Sequence, residues 1–220
     1  MMKTLPYFFV AMLLAGCTSV SSKWEDAQRE NTEISYESFL QEFPQSEYAP
    51  QAKARIEQLR FDQAKRENSE AAYQSYERMY PHGRFVAESR RLADDCAFAG
   101  ATKQNTQDAF EAYMKTYPNG VHHGDAKQGV EALVYREAIR NGQVGTLDAY
   151  LQRYPAGRFA AEAKTSLVEA WLKEARASKR LSAWRRFAAL QSGHPAADEA
   201  RKAISTIEEA VRSQKAELGV

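Results

Sequence analysis

Four prolines, Pro44, Pro81, Pro118 and Pro155, stand 37 residues apart, and that interval governs most of the chain. Self-similarity at a fixed period of about 20–50 residues is the mark of an array, in which one small unit recurs and neighbours cover each other. Other columns keep the same frame. Ala27, Ala64, Ala101, Ala138 and Ala175 recur, as do the aromatics Phe39, Tyr76, Tyr113, Tyr150 and Phe187. Tyr36, Tyr73, Phe110, Leu147 and Trp184 form a second large column, and Ala52, Ser89, Ala126, Ala163 and Ala200 a small one.

Each unit reads as two helices. The first is short, over Thr32 to Phe43, Ser69 to Tyr80 and Thr106 to Tyr117; its large side chains, such as Tyr73, Tyr76 and Tyr80, fall three and four apart, which is one helical face. The Asn-Thr or Asn-Ser pair before it offers an amide or hydroxyl to the free N–H groups of a helix start. Proline ends it, because the residue before proline avoids the helical region. Ser46, Gly83, Gly120 or Gly157 then supplies a turn. The second helix is longer, about 47–66, 84–103, 122–140 and 158–178, with apolar residues three and four apart, as in Ala49, Ala52, Ile56 and Leu59. No segment alternates with period two, so no sheet is expected. A lone hairpin cannot bury both of its apolar faces; stacked hairpins can. The expected fold is all-α, an α-solenoid of about five helical hairpins over residues 24–217. Its first turn should start near Ser22, where Ser22 and Glu25 fit a capping box, and its last helix should run over about 195–217.

The N-terminal stretch is of another kind. Lys3 precedes a nearly unbroken apolar run from Leu5 to Leu14, too short for a membrane-crossing helix of about 20 apolar residues but shaped like a secretory signal. It ends in Leu14-Ala15-Gly16-Cys17, which resembles the lipobox of bacterial lipoproteins. That resemblance implies a signal peptide over residues 1–16, removal before Cys17, and fatty acylation of Cys17, with residues 17–23 as a short tether. Acyl methylenes contribute about 0.8 kcal/mol each on insertion, so such an anchor holds. Thr18 rather than Asp after the cysteine resembles the outer-membrane sorting pattern, which places the chain at the outer membrane facing the periplasm. After cleavage Cys96 would be the only remaining unmodified thiol, so no internal disulfide is expected.

The repeat units themselves resemble the tetratricopeptide family, above all its variants in bacterial envelope proteins such as those of β-barrel assembly and of the Tol–Pal system. The motifs that carry the likeness are Glu42-Phe43-Pro44-Gln45-Ser46, Met79-Tyr80-Pro81-His82-Gly83, Thr116-Tyr117-Pro118-Asn119-Gly120 and Arg153-Tyr154-Pro155-Ala156-Gly157, each followed by spaced alanines. The period is 37 rather than the family's usual 34, and the family's Trp-x-x-Leu-Gly-x-x-Tyr pattern is absent. The resemblance implies an interaction scaffold, with envelope proteins as partners and no cofactor beyond the lipid on Cys17.

Chemistry is harder to find. Nucleophile elbows, phosphate loops and carboxylate pairs beside histidine are all missing, so an enzyme is not expected. His82, His122, His123 and His194 lack metal-site spacing, so no metal is expected. Cys96 shares its column with Leu59, Leu133, Ala170 and Ile207 and reads as a small core residue. Thirty Lys and Arg against 29 Asp and Glu give a net charge of +1, which argues against nucleic acid as a partner. The charge is unevenly spread, however. Residues 24–70 hold eleven acidic and six basic side chains, whereas residues 171–190 hold Lys173, Arg176, Lys179, Arg180, Arg185 and Arg186 against Glu174 alone. Those six cations are the candidate binding residues, for an acidic partner or, alternatively, peptidoglycan or lipopolysaccharide. Regulation of an envelope enzyme is a further alternative. Trp184 sits among them but also in a large apolar column, so its ring is expected in the core.

Overall fold

The computed structural model describes residues 19–191 and 193–217. The expected signal segment 1–16 and Cys17 lie outside the described residues. Within them the chain forms eleven helices and no strand: α1 Val20–Glu30, α2 Glu33–Glu42, α3 Ala49–Glu67, α4 Glu70–Met79, α5 Val86–Gln104, α6 Gln107–Thr116, α7 His123–Asn141, α8 Val144–Arg153, α9 Ala160–Ser178, α10 Leu181–Leu190 and α11 Ala197–Glu217. The fold is an all-α helical repeat. From α2 onward, ten-residue helices alternate with long ones, and equivalent helices start 37 residues apart. The chain divides into two compact units, one up to Cys96 and one from Ala97.

Local chemistry accounts for the helix ends. Thr32, Ser69 and Thr106 are extended N-caps whose hydroxyls accept from the N–H of Ser35, Ala72 and Ala109 at 3.1–3.2 Å. The preceding asparagines do something other than cap that start. Asn31, Asn68 and Asn105 are left-handed, with φ of 48°, 43° and 50°, and they close the helix before. Asparagine tolerates this region because its short amide bonds locally. At the other end, Phe43, Tyr80, Tyr117 and Tyr154 all take φ between −131° and −120° with ψ of 62–67°, the non-helical setting that the following proline favours.

One boundary departs from expectation. The first helix starts at Val20, and its N-cap is Ser19, whose hydroxyl accepts from Ser22 N at 3.2 Å. Ser22 is thus the donor in the first turn rather than the cap. Residues 20–23 are helical, not tether, and α1 begins three residues after Cys17.

In the first unit, α1 packs on α2, α2 on α3 and α3 on α4. Its core is built on Trp24, Tyr36, Phe39, Phe61, Tyr73 and Tyr76. In the second unit, α6 packs on α7, and the chain of neighbours continues to α11. Three clusters there centre on Phe110 and Tyr113, on Leu147 and Tyr150, and on Trp184 and Phe187. Ala52, Ser89, Ala126, Ala163 and Ala200 are each 0% exposed. Nothing larger fits at such contacts without shifting the backbone, at about 1–3 kcal/mol per site. Ser89 keeps its hydroxyl there only because it donates to the Tyr73 carbonyl at 3.0 Å.

Face-to-face ring pairs add to each core. Trp24 lies on Tyr48 (5.5 Å, 9°) and Phe61 on Phe85 (4.7 Å, 2°) in the first unit. Phe98 lies on His122 (4.5 Å, 8°) and Tyr135 on Phe159 (4.5 Å, 3°) in the second. These are two more columns of the 37-residue frame, and each such pair contributes about 0.5–1.5 kcal/mol beyond burial.

Candidate functional site

The six candidate cations are all exposed. Trp184 is 6% exposed and belongs to the core, as its column implied, while the charges around it are sorted into different settings. Arg176 forks onto Glu199, with Nε and Nη2 donating to its two oxygens at 2.9 and 2.6 Å. This hydrogen bonding holds the exposed Glu199 carboxyl below the ordinary range. Arg185 donates to Glu208 at 2.6 Å. Both acids come from α11, outside the 171–190 window, so the local excess of positive charge is smaller than the linear count implies. Lys173, Lys179, Arg180 and Arg186 are exposed and have no carboxylate partner among the described residues.

Arg176 and Lys179, at the end of α9, do meet. They line an open groove of about 470 Å³ with Trp184 of α10 and with Glu199, Lys202, Ala203, Thr206 and Ile207 of α11. Lys173 instead lines the groove one repeat earlier, about 280 Å³, formed with Ile139, Gly142, Leu147, Thr165, Ser166, Glu169 and Ala170. The two grooves correspond position by position: Ile139, Gly142, Leu147, Thr165, Ser166, Glu169 and Ala170 precede Arg176, Lys179, Trp184, Lys202, Ala203, Thr206 and Ile207 by 37 residues. Arg180 and Arg186 line neither.

Two columns set the character of these grooves. At the left-handed cap stand Asn31, Asn68, Asn105, Gly142 and Lys179; in the following short helix stand Tyr36, Tyr73, Phe110, Leu147 and Trp184. In the first unit the two columns bond to each other: Tyr36 and Tyr73 donate their hydroxyls to Asn31 and Asn68 Oδ1, both at 3.0 Å. Leu147 and Trp184 carry no hydroxyl, so no such bond spans the later positions, and there an apolar floor lies beneath a polar rim.

A second constellation is structural. In the first unit Tyr76 donates its hydroxyl to Glu57 Oε1 at 2.8 Å, and that oxygen also accepts from Arg84 N at 2.5 Å. In the second unit Tyr150 donates to Glu131 Oε1 at 2.9 Å. Burial first, and the carboxylate bond second, push both phenols up to about 12. Gly83 and Gly157 make room: a Cβ on Gly83 would fall 2.6 Å from Glu57 and 2.7 Å from Tyr76 oxygens, and one on Gly157 would collide with Glu131. Neither has a positive φ, so these turn glycines are there for close approach. In the end repeats Phe39 shares a cluster with Val20, and Phe187 with Val168; hydroxyl and carboxylate are lost together.

Cys96 is half-buried rather than fully in the core, its Sγ 3.6 Å from the Asn68 carbonyl. Burial, then Asp95 and Glu70, push its thiol up, the opposite of a reactive thiolate. His122 stacks on Phe98 with Asp125 at 3.7 Å, and among the described residues no three His, Cys, Asp or Glu side chains gather as a metal site would.

Lys202, Glu199, Thr206 and Ile207 were missed by a reading confined to a linear basic window; adding 37 to the residues opposite Gly142 would have found all but Glu199. Compared with known proteins, the chain matches no family model and no curated protein.

Proposed function

We propose that the chain is a lipid-anchored scaffold of the bacterial envelope: a tetratricopeptide-like α-solenoid with a 37-residue period, tethered by Cys17 to the outer membrane and holding envelope proteins from the periplasmic side. The observation that carries it is the order of two features. Leu14-Ala15-Gly16-Cys17 stands immediately ahead of a helical repeat, and α1 begins three residues after Cys17. At most about 3.5 Å per residue, that spacing keeps the first hairpin within roughly 10 Å of the acylated residue. Among the described residues no helix is long and apolar enough to cross a membrane.

The test is fatty-acid labelling with mass spectrometry of the mature N-terminus. The wild-type chain should begin at acylated Cys17 and sediment with outer membranes. Cys17→Ser should lose label and membrane association together. A Cys17→Ser chain that is still acylated, or that still fractionates with membranes, would overturn the anchor.

The exposed Lys173, Lys179, Arg180 and Arg186, without carboxylate partners among the described residues, favour a second reading, in which these cations meet anionic cell-wall polymer. Co-sedimentation with purified sacculi separates the two: binding that survives neutralising all four cations excludes it.

A further inference from the structure

We infer that the groove between α9, α10 and α11 is a docking site for an acidic peptide segment carrying one large apolar side chain. Its floor is apolar, lined by Trp184, Ala203 and Ile207, and Lys179 and Lys202 stand on its rim without carboxylate partners among the described residues. An apolar anchor flanked by carboxylates complements that arrangement in both shape and charge. The rim also carries the Glu199 carboxylate, already bonded to Arg176, and the Thr206 hydroxyl. A peptide suits such a mixed rim better than a phosphate, because it can turn backbone N–H donors to Glu199 and its carboxylates to the lysines, whereas a phosphate at neutral pH offers Glu199 little but like charge.

An independent observation singles out Lys179. Its φ is 55°, in the left-handed region, where the equivalent residues are asparagine or glycine. Lysine has neither the small side chain nor the local amide bond that makes this conformation inexpensive. A strained residue kept at a groove rim, where four equivalent positions solve the same backbone problem without strain, points to a role for its charge.

The inference rests on the protein-binding reading above but not on acylation. The test uses the full chain in non-ionic detergent and a fluorescein-labelled 12-residue probe with one Leu flanked by two acidic residues on each side. Anisotropy should show saturable binding. Replacing the probe's Leu by Ser, or its acids by Asn and Gln, should weaken it at least tenfold. Lys179→Asn should raise the thermal midpoint by about 2 °C, by relieving the left-handed strain, while weakening the probe about fivefold. Lys179→Asn with Lys202→Gln should weaken it more than tenfold. Unchanged affinity in a stabilised Lys179→Asn chain would make Lys179 a structural cap and overturn the inference. So would no binding at millimolar probe, or equal competition by short-chain phosphatidylglycerol, which would assign the groove to lipid headgroups. Crosslinking of wild-type and Lys179→Asn chains in cells distinguishes the failures. Partners kept equally by both remove the groove and leave the scaffold standing; no partners on either, with the probe still bound, removes the scaffold.

Discussion

Replacing Tyr76 by Phe tests whether the hydroxyl–carboxylate pair is a unit of the repeat. Tyr76 is 1% exposed, and its oxygen both donates to Glu57 (2.8 Å) and accepts from Phe85 N (3.2 Å). Losing a hydrogen bond to a charged group costs about 1.5–3 kcal/mol, and the orphaned Phe85 N–H adds to it, so Tyr76→Phe should destabilise by about 2–3 kcal/mol. Glu57→Val strands the Tyr76 hydroxyl and Arg84 N instead and should cost a similar amount. The double variant has neither stranded partner of the pair. It recreates what Val20 with Phe39 and Val168 with Phe187 do natively, and it should be no less stable than either single variant. The coupling expected from a double-mutant cycle is about 2 kcal/mol. Urea unfolding followed by circular dichroism supplies the four stabilities, and hydrogen exchange at the Phe85 amide localises the effect. Additivity within about 0.5 kcal/mol would refute the reasoning, since independent sites add to that tolerance.

Three further outcomes follow from the same geometry. Tyr76 and Tyr150 are held up to about 12, above the value near 10 of an unfolded tyrosine, so their protonated forms favour the fold. That stability is fully present below pH 10 and is lost as pH rises from 10 to 12; thermal midpoints taken alongside 295 nm absorbance should fall across this window, and Tyr76→Phe with Tyr150→Phe should flatten the fall. Gly157→Ala should destabilise by about 2 kcal/mol through collision with Tyr154 Cβ, 2.9 Å away, and with the Glu131 carboxylate that Tyr150 holds, whereas Gly100→Ala, inside α5 with nothing within 4 Å, should stabilise by about 0.5–1 kcal/mol; equal midpoints by calorimetry would contradict both assignments. Cys96, with its thiol pushed up, should react with iodoacetamide at pH 8 several-fold more slowly than a free thiol and at the free-thiol rate in urea; a fast native rate would contradict its half-buried setting.

Helix type and most helix ends were legible because each is decided within a few residues, by a cap hydroxyl or a proline, and the small buried column because a small side chain recurs every 37 positions. What was not legible depends on which columns meet in space. Glu57 and Tyr76, and likewise Glu131 and Tyr150, lie 19 residues apart on different helices, and only the hairpin brings their oxygens together. Asn31 and Asn68 were misread for a related reason: one residue can belong to the end of one helix and the start of the next, and their left-handed backbone settles which. The basic window overstated the free charge because a count along the chain takes Arg176 and Arg185 as unpaired, whereas α11 returns Glu199 and Glu208 to them.

The columns also differ in how freely they vary, and the difference is physical. At Ala52, Ser89, Ala126, Ala163 and Ala200 all five repeats hold a small side chain with no exposure, because any added volume is resisted from every side. At the left-handed cap and the large residue after it the pairs vary, from Asn31 with Tyr36 through Asn105 with Phe110 and Gly142 with Leu147 to Lys179 with Trp184. Until the last repeat each change keeps the local rule, since asparagine and glycine both accept a positive φ. Lys179 breaks it at φ 55°, beside a groove whose floor is a tryptophan. A chain whose repeats agree this closely at backbone-determined positions has a solution for that site four times over. The one repeat that departs from it therefore directs attention to the solvent side of α9 and α10, where lysine differs from asparagine in reach and charge.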